Sequence, residues 1–326
     1  MRLRSCRMPG QETEETCFIQ KLENRRGKAY KMGAKKKTRA LGAFSGGLDS
    51  MIAALLLKSQ GIEVEVVTFT SPFFSSEKGY SGAKQLDIPW RKIDYTAELM
   101  ATLNDPPSGF GKNLNPCIDC HAGMFHILGD IAAAEGYDVI FSGEVAGQRP
   151  MSQNKNSLNR VARLSCYPEL LLRPLSAKLL RITEPEKKGL VDRDLLLDLS
   201  GRSRKPQMKL AEEYGISYVN PGGGCLLTDP NYSDRLSILR EIPGLFTAEN
   251  ARLVTHGRIF RLSEDTIGLV GRDERDNEGL ESLVKDEITY VLEDIPGPTG
   301  VLIGDPEMLP ELIKLVKHYA GVRSCI

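Results

Sequence analysis

The stretch Ser45-Gly46-Gly47-Leu48-Asp49-Ser50 limits what this chain can become more than any other. An apolar run, Ala40 to Phe44, leads into it and reads as a short buried strand. A helix-like run, Ser50 to Leu57, leads out, and Gly61 to Thr70 alternates as a second strand. Strand, turn, helix and strand in this order open a parallel α/β sheet. At the turn, two glycines let a ligand come close to the backbone. The helix N-terminus directs unpaired N–H groups to the same spot, and Ser45 and Ser50 add hydroxyls. The turn therefore predicts a phosphate site; the plainer alternative is a turn that merely caps a helix. It has neither the Gly-Lys-Ser/Thr ending of a Walker loop nor the Gly-x-Gly-x-x-Gly spacing of a dinucleotide fold.

Ser-Gly-Gly-x-Asp-Ser after a strand resembles the signature of the PP-loop ATP pyrophosphatases, which cut ATP between the α and β phosphates and leave a substrate oxygen adenylated. The resemblance implies an α/β fold: a parallel-sheet, adenine nucleotide alpha hydrolase-like domain that uses ATP with Mg2+. It assigns Ser45, Gly46, Gly47, Asp49 and Ser50 to nucleotide binding and Asp49 also to catalysis. It puts the adenine at the end of the second strand, at Thr68, Phe69 and Thr70. Tyr137 to Glu144 reads as a further strand and turn. Ligands of open α/β sheets sit at the carboxyl ends of strands, so Ser142, Gly143 and Glu144 are expected at the same crevice.

A chain of 326 residues has room for two domains and a small third piece. Its 41% hydrophobic and 26% charged content fits a globular protein, and its zero net charge leaves RNA contacts to local basic patches. No apolar run approaches the ~18 residues of a membrane span, and no signal-peptide core is visible, so a cytoplasmic location is expected. There, seven cysteines read as ligands, nucleophiles or buried thiols rather than a disulfide framework. Residues 1–37 form a polar, basic arm carrying Cys6 and Cys17, read as incidental thiols. Residues 38–235 form the α/β domain, and residues 250–326 a small α+β domain. A helix is expected after Pro185 within the charged segment Arg181 to Leu199.

Cys117 and Cys120 form a C-x-x-C pair at the start of a helix, after a Gly/Pro/Asn-rich loop over residues 104–116. Cys225 lies far downstream behind Gly222-Gly223-Gly224, a backbone path that can deliver one thiol into a crowded site. A lone C-x-x-C admits a redox pair, half of a zinc site with His121 as a further ligand, or buried packing. Three thiolates also suit an iron–sulfur cluster with one iron left open to carry sulfide. Asp119 reads equally as a helix cap or as a base beside that centre. His126 reads as a core histidine, and Cys166 and Cys325 lack partners.

Asn-Pro-Cys-x-x-Cys with a distant cysteine resembles the tRNA 2-thiouridylases and the cluster-bearing tRNA thiolation enzymes of the PP-loop class. The resemblance spans roughly residues 38–235. It implies a 4Fe-4S cluster on Cys117, Cys120 and Cys225, or, in cluster-free members, Cys117 as nucleophile and Cys225 as persulfide carrier. Ser142-Gly143-Glu144-Val145 stands where that family usually has Thr-Gly-His-Tyr. The motifs His256 to Arg261, Val270 to Asn277 and Pro296-Gly297-Pro298 resemble the RNA-binding domain of ribosome quality-control factors. Arg252, Arg258, Arg261 and Arg272 would then meet phosphates; otherwise they form a solvated face. The expected function is ATP-dependent thiolation of a tRNA base, a uridine, with free sulfide or a sulfur-carrier protein as donor and no membrane partner. The rival readings are a small-molecule or protein acceptor, the persulfide mechanism, and a non-catalytic RNA-binding module.

Overall fold

The computed structural model describes residues 37–218, 224–293 and 295–322. The basic arm with Cys6 and Cys17, Gly222, Gly223 and Cys325 lie outside the described residues.

The first domain is built on five parallel strands: β1 (Arg39–Ala43), β2 (Glu63–Thr70), β3 (Trp90–Asp94), β4 (Val139–Ser142) and β5 (Leu171–Leu172), in the order β3-β2-β1-β4-β5. Ala40 pairs with Val64 on one side and Val139 on the other, so β1 is central. Alternate residues feed two separate cores. Leu41, Val67 and Ile140 pack on one face, Ala40, Val66 and Phe141 on the other. A sheet buried on both faces needs apolar residues at successive positions, which these strands supply. Helix α1 (Leu48–Lys58) packs on the second face through Met51, Ile52 and Leu56. Helices α2 (Glu77–Leu86) and α3 (Thr96–Asn104) follow β2 and β3. Helix α4 (Cys117–Glu135) covers the first face through Phe125, Leu128 and Ala132. The chain turns one way from β1 to β2 and the other way to β4, so the crevice at their carboxyl ends is the switch point where such sheets bind ligands.

The polar segment after β4 contains a helix that its composition hides, α5 (Lys155–Leu164). Asn154 caps it by accepting from the Ser157 N–H, and Leu158, Val161 and Ala162 form its buried stripe. The helix expected after Pro185 is only one turn, α6 (Glu184–Lys187), followed by a 3-10 turn at Arg193–Leu195. Gly189 adopts a left-handed φ of 67° just beyond that turn, and the Glu186 carboxylate bonds Thr183 and Arg193 instead of facing solvent on a continued helix. Helix α7 (Lys205–Tyr214) returns against α1, with Ala211 buried in the same core.

Helices α8 (Pro230–Glu241) and α9 (Ala248–Leu253) lead to a four-stranded antiparallel sheet of order β6-β7-β9-β8. Its strands are β6 (Arg258–Arg261), β7 (Ile267–Val270), β8 (Ile288–Tyr290) and β9 (Gly300–Ile303). Helices α10 (Glu274–Leu283) and α11 (Leu309–Tyr319) complete this part. Ile267, Leu269, Val301 and Ile303 join the hydrophobic cluster that runs through Tyr232 and Leu236 to Leu41 and Phe125. Leu312 and Val316 of α11 cover the other face with Val270 and Leu302. No helix among the described residues is long and apolar enough to cross a membrane.

Candidate active site

The turn between β1 and α1 is formed by Ser45, Gly46 and Gly47. Gly46 has φ 71°, and a Cβ there would lie 1.9 Å from the Lys78 carbonyl oxygen of α2, so only glycine fits. Ser50 donates to the Gly47 carbonyl at 2.9 Å, and the Ser45 and Ser50 hydroxyls stand 3.4 Å apart. No side chain caps the first turn of α1, which leaves its N–H groups to a ligand. Gly143, at the end of β4, allows α1 to sit directly against the sheet: a Cβ there would lie 2.5 Å from the Ser50 nitrogen.

Asp49 reaches out of this turn. Its Oδ2 accepts from Gln148 Nε2 at 2.7 Å and lies 3.9 Å from Arg204 Nε. Its Oδ1 is buried with no partner in the structure, so one carboxylate oxygen is left for an incoming cation or donor. A Mg2+ ion fits that oxygen, because hard cations take carboxylate ligands. Thr68 and Phe69 are buried. The Thr68 hydroxyl donates to the Phe44 carbonyl at 2.6 Å and accepts from Trp90 Nε1 at 2.9 Å, while Phe69 packs edge-on against Tyr95. Thr70 is half-buried and its hydroxyl donates to the Phe74 carbonyl at 3.4 Å, so this strand end offers an adenine its backbone and the Thr70 hydroxyl.

Cys117 and Cys120 occupy the first turn of α4. Asn115 Nδ2 donates to Cys117 Sγ at 3.2 Å. Cys225 arrives from a different part of the chain by way of specific bonds. Leu226 N–H donates to the Phe73 carbonyl at 2.9 Å, Asn113 Nδ2 to the Thr228 carbonyl at 2.7 Å, and Phe73 packs edge-on against Tyr232. The three cysteines come close enough to act on one another electrostatically. Burial pushes the Cys120 thiol well above its ordinary pKa, and the charges of Cys225 and Cys117 add to this. Burial likewise pushes Cys225 up to about 11, against the opposing pull of the Leu227 backbone and Arg149. Both thiols are thus protonated at neutral pH unless a metal centre stabilises their thiolates. Among the described residues, no group of three His, Cys, Asp or Glu side chains converges as a single metal ion requires.

Asp119 caps nothing in its own helix, whose N-cap is Pro116. It accepts from the N–H of Ser108 at 2.7 Å and from the Ser108 hydroxyl, closing the 104–116 loop onto α4. Glu144 is a participant that sequence reasoning placed at the crevice without its partners. It is 5% exposed; one oxygen lies 2.8 Å from His121 Nδ1, and the other accepts from Arg173 Nε at 2.7 Å. His121, next to Cys120, is thereby held to the strand end that carries Gly143. Among the C-terminal arginines, Arg272 pairs with Asp276, Arg258 lies over the Tyr319 ring, and Arg261 bonds carbonyls of its own turn. On α5, Arg160 and Arg163 are exposed on the side away from its buried stripe, and Lys155 is exposed at its start.

The adjacent residues Gln148 and Arg149 face the glycine turn and the cysteines respectively. A separate open groove of about 550 Å³ is lined by Asp94, Glu98, Phe246 and Thr247, and its carboxylates are unsuited to phosphate.

Residues 35–178 match the family model described as Thiamine biosynthesis protein (ThiI). The chain is 35% identical over 126 residues to the tRNA-specific 2-thiouridylase MnmA 1 of Syntrophus aciditrophicus, covering 34% of each chain. It is 28% identical over 148 residues to a probable tRNA sulfurtransferase of Lactobacillus gasseri, covering 42% of this chain and 34% of that one. The chain thus spans about a third of the length of these two curated relatives. A solved structure of the U34-tRNA thiolase NcsA from Methanococcus maripaludis with its [4Fe-4S] cluster superimposes with a TM-score of 0.36 at 16% identity, covering 75% of this chain and 82% of that one.

Proposed function

We propose, from the PP-loop domain of thiolation-enzyme type that residues 35–178 help to form, that this chain is an ATP-dependent sulfurtransferase acting on a uridine of tRNA. What supports the reading is that the adjacent residues Gln148 and Arg149 lie beside Asp49 of the glycine turn and within electrostatic reach of Cys225.

In this reading the backbone of Gly46 and Gly47, the first turn of α1 and the Ser45 and Ser50 hydroxyls receive the ATP phosphates. Fixed N–H donors are most valuable where charge builds up on the departing pyrophosphate. Asp49 would hold Mg2+ through its free Oδ1. The base oxygen attacks the α phosphorus, the bond to the β phosphate breaks, and pyrophosphate leaves. The exposed basic side of α5, beside the cysteine helix, supplies cations for the tRNA backbone. Sulfur from sulfide or a carrier protein then replaces the activated oxygen, and AMP departs.

Cys117, Cys120 and Cys225 would hold a 4Fe-4S cluster. When bound, such a cluster supplies a soft iron site able to carry sulfide. A cluster-free persulfide route through Cys117 and Cys225 has one observation in its favour: Asn115 bonds the first sulfur and Arg149 lies near the second.

Protein purified without oxygen is expected to contain iron and labile sulfide, lost in Cys225→Ala; zinc or no metal would leave the persulfide route. The function itself is tested by release of AMP and pyrophosphate from ATP, stimulated by unmodified tRNA. Asp49→Ala and Ser45→Ala should lose that activity while keeping their fold. Wild-type AMP release in both variants would remove the glycine turn from the mechanism.

A further inference from the structure

A carboxylate turns easily about its last torsion, so an acid that offers one chosen oxygen to a cation needs its other oxygen held. Asp49 is held in this way. Gln148 Nε2 donates to its Oδ2 at 2.7 Å, while its Oδ1 is buried without a partner among the described residues. We infer that Gln148 and Gln207 are positioning residues for Asp49, a relay of two amides that reserves Oδ1 for the Mg2+ of bound ATP. The inference rests on the reading of this crevice as an ATP site.

The relay has one direction only. A carboxylate can only accept, so Gln148 turns its amide nitrogen to Asp49 and its Oε1 away. That oxygen accepts from Gln207 Nε2 at 3.3 Å. Gln207 is 1% exposed, and its own Oε1 is buried with no partner among the described residues. Turning the Gln207 amide over would set two acceptor oxygens against each other. The order of the amides therefore follows from the charge on Asp49, and the unpaired oxygen falls on the last member of the chain. Arg204 Nε stands on the same side of the carboxylate, 3.9 Å from Oδ2.

Both ends of the relay sit on fixed elements. The Gln148 backbone lies in a turn: its N–H donates to the Val145 carbonyl at 3.2 Å, and the Gly147 N–H to the Gln153 carbonyl at 2.7 Å. Gly201 N–H donates to the Ala146 carbonyl at 2.8 Å, which ties this turn to the segment entering α7. Gln207 lies in the first turn of α7, and Ala211, one turn further, shares an apolar cluster with Met51 of α1. Asp49 itself lies in the first turn of α1. The relay thus closes a ring, from Asp49 through two amides to α7 and through the core back to α1. With the carboxylate pinned, an incoming cation meets an oxygen already in place, and binding needs no reorientation.

The test measures equilibrium binding of ATP to the full chain as Mg2+ is raised, and again in EDTA. Gln148→Met keeps the length of the side chain and removes its amide. It should raise the Mg2+ concentration for half-maximal ATP binding by about tenfold or more, the scale of a lost partner of a metal ligand, and leave the metal-free affinity unchanged. Gln207 bonds Gln148 and not Asp49, yet Gln207→Met should give the same shift at about threefold, the scale of a neutral hydrogen bond. Where a methionine variant loses its fold, read by circular dichroism, the alanine variant at that position replaces it. A lower melting temperature with an unchanged Mg2+ requirement assigns the amides a structural role and overturns the inference. So does an equal loss of ATP affinity with and without Mg2+, which puts the amides on the nucleotide itself. If the unaltered chain binds no ATP, or binds it equally with and without Mg2+, the reading of the crevice as a magnesium–ATP site falls, and the relay with it.

Discussion

Glu144 keeps its charge in the interior because two partners answer its two oxygens. Burial alone would raise its pKa; Arg173 and His121 overcome that and hold it at about 2, below the ordinary 4.5. A carboxylate with a depressed folded pKa contributes stability that is complete above pH 4.5 and lost as the pH falls towards 2. The amount is roughly 3 kcal/mol. Glu144→Gln should flatten that acid limb of the stability curve in urea titrations. Because it strands the buried Arg173, it should also cost about 3–5 kcal/mol at neutral pH. An unchanged acid limb would mean that other carboxylates govern it. Gly143→Ala acts at the same strand end by a different cause. Its Cβ would meet backbone of α1, which cannot swing aside as a side chain can. Loss of about 1–3 kcal/mol and of AMP release is expected, read by thermal melting and nucleotide assay.

At the scale of elements, the cysteine site depends on how α4, the 104–116 loop and the start of α8 are tied together. Asn113 bonds the Thr228 carbonyl, and the Leu114 N–H bonds the Ser233 hydroxyl. Asn113→Ala should cost about 1 kcal/mol. It should lower sulfur transfer more than AMP release, because it loosens the segment bearing Cys225 and leaves the glycine turn intact. Equal losses in both activities would deny the division into two half-sites. The glycine turn and the C-x-x-C at a helix start were legible in the sequence because each is built from adjacent residues. Cys225 could be suspected but not placed, since its approach depends on bonds to Phe73 and Asn113, far away in the chain. The Glu144–Arg173–His121 network was illegible for the same reason. Helix α5 was hidden by polar composition although Leu158, Val161 and Ala162 keep helical spacing. After Pro185, charge and amphipathicity suggest a longer helix than the left-handed Gly189 permits.

In the whole molecule, the C-terminal sheet is more than an appendage. Ile267, Leu269, Val301 and Ile303 belong to the same apolar cluster as Tyr232, Leu236 and the buried face of α4. Removing residues 250–326 should therefore lower the melting temperature of what remains and expose apolar surface. Loss of tRNA binding on truncation cannot be assigned to lost phosphate contacts unless that melting temperature is unchanged. An unchanged value would contradict the shared core. In the proposed function, one crevice activates a tRNA base with ATP and then exchanges its oxygen for sulfur. The direct measurement is mass spectrometry of nucleosides from unmodified tRNA after anaerobic incubation with the chain, ATP, Mg2+ and sulfide. An ATP-dependent thiouridine is expected from the unaltered chain, and none from Cys225→Ala although that variant still releases AMP. No thiouridine from the unaltered chain, supplied with iron and sulfide, or equal thiouridine from Cys225→Ala, would contradict it.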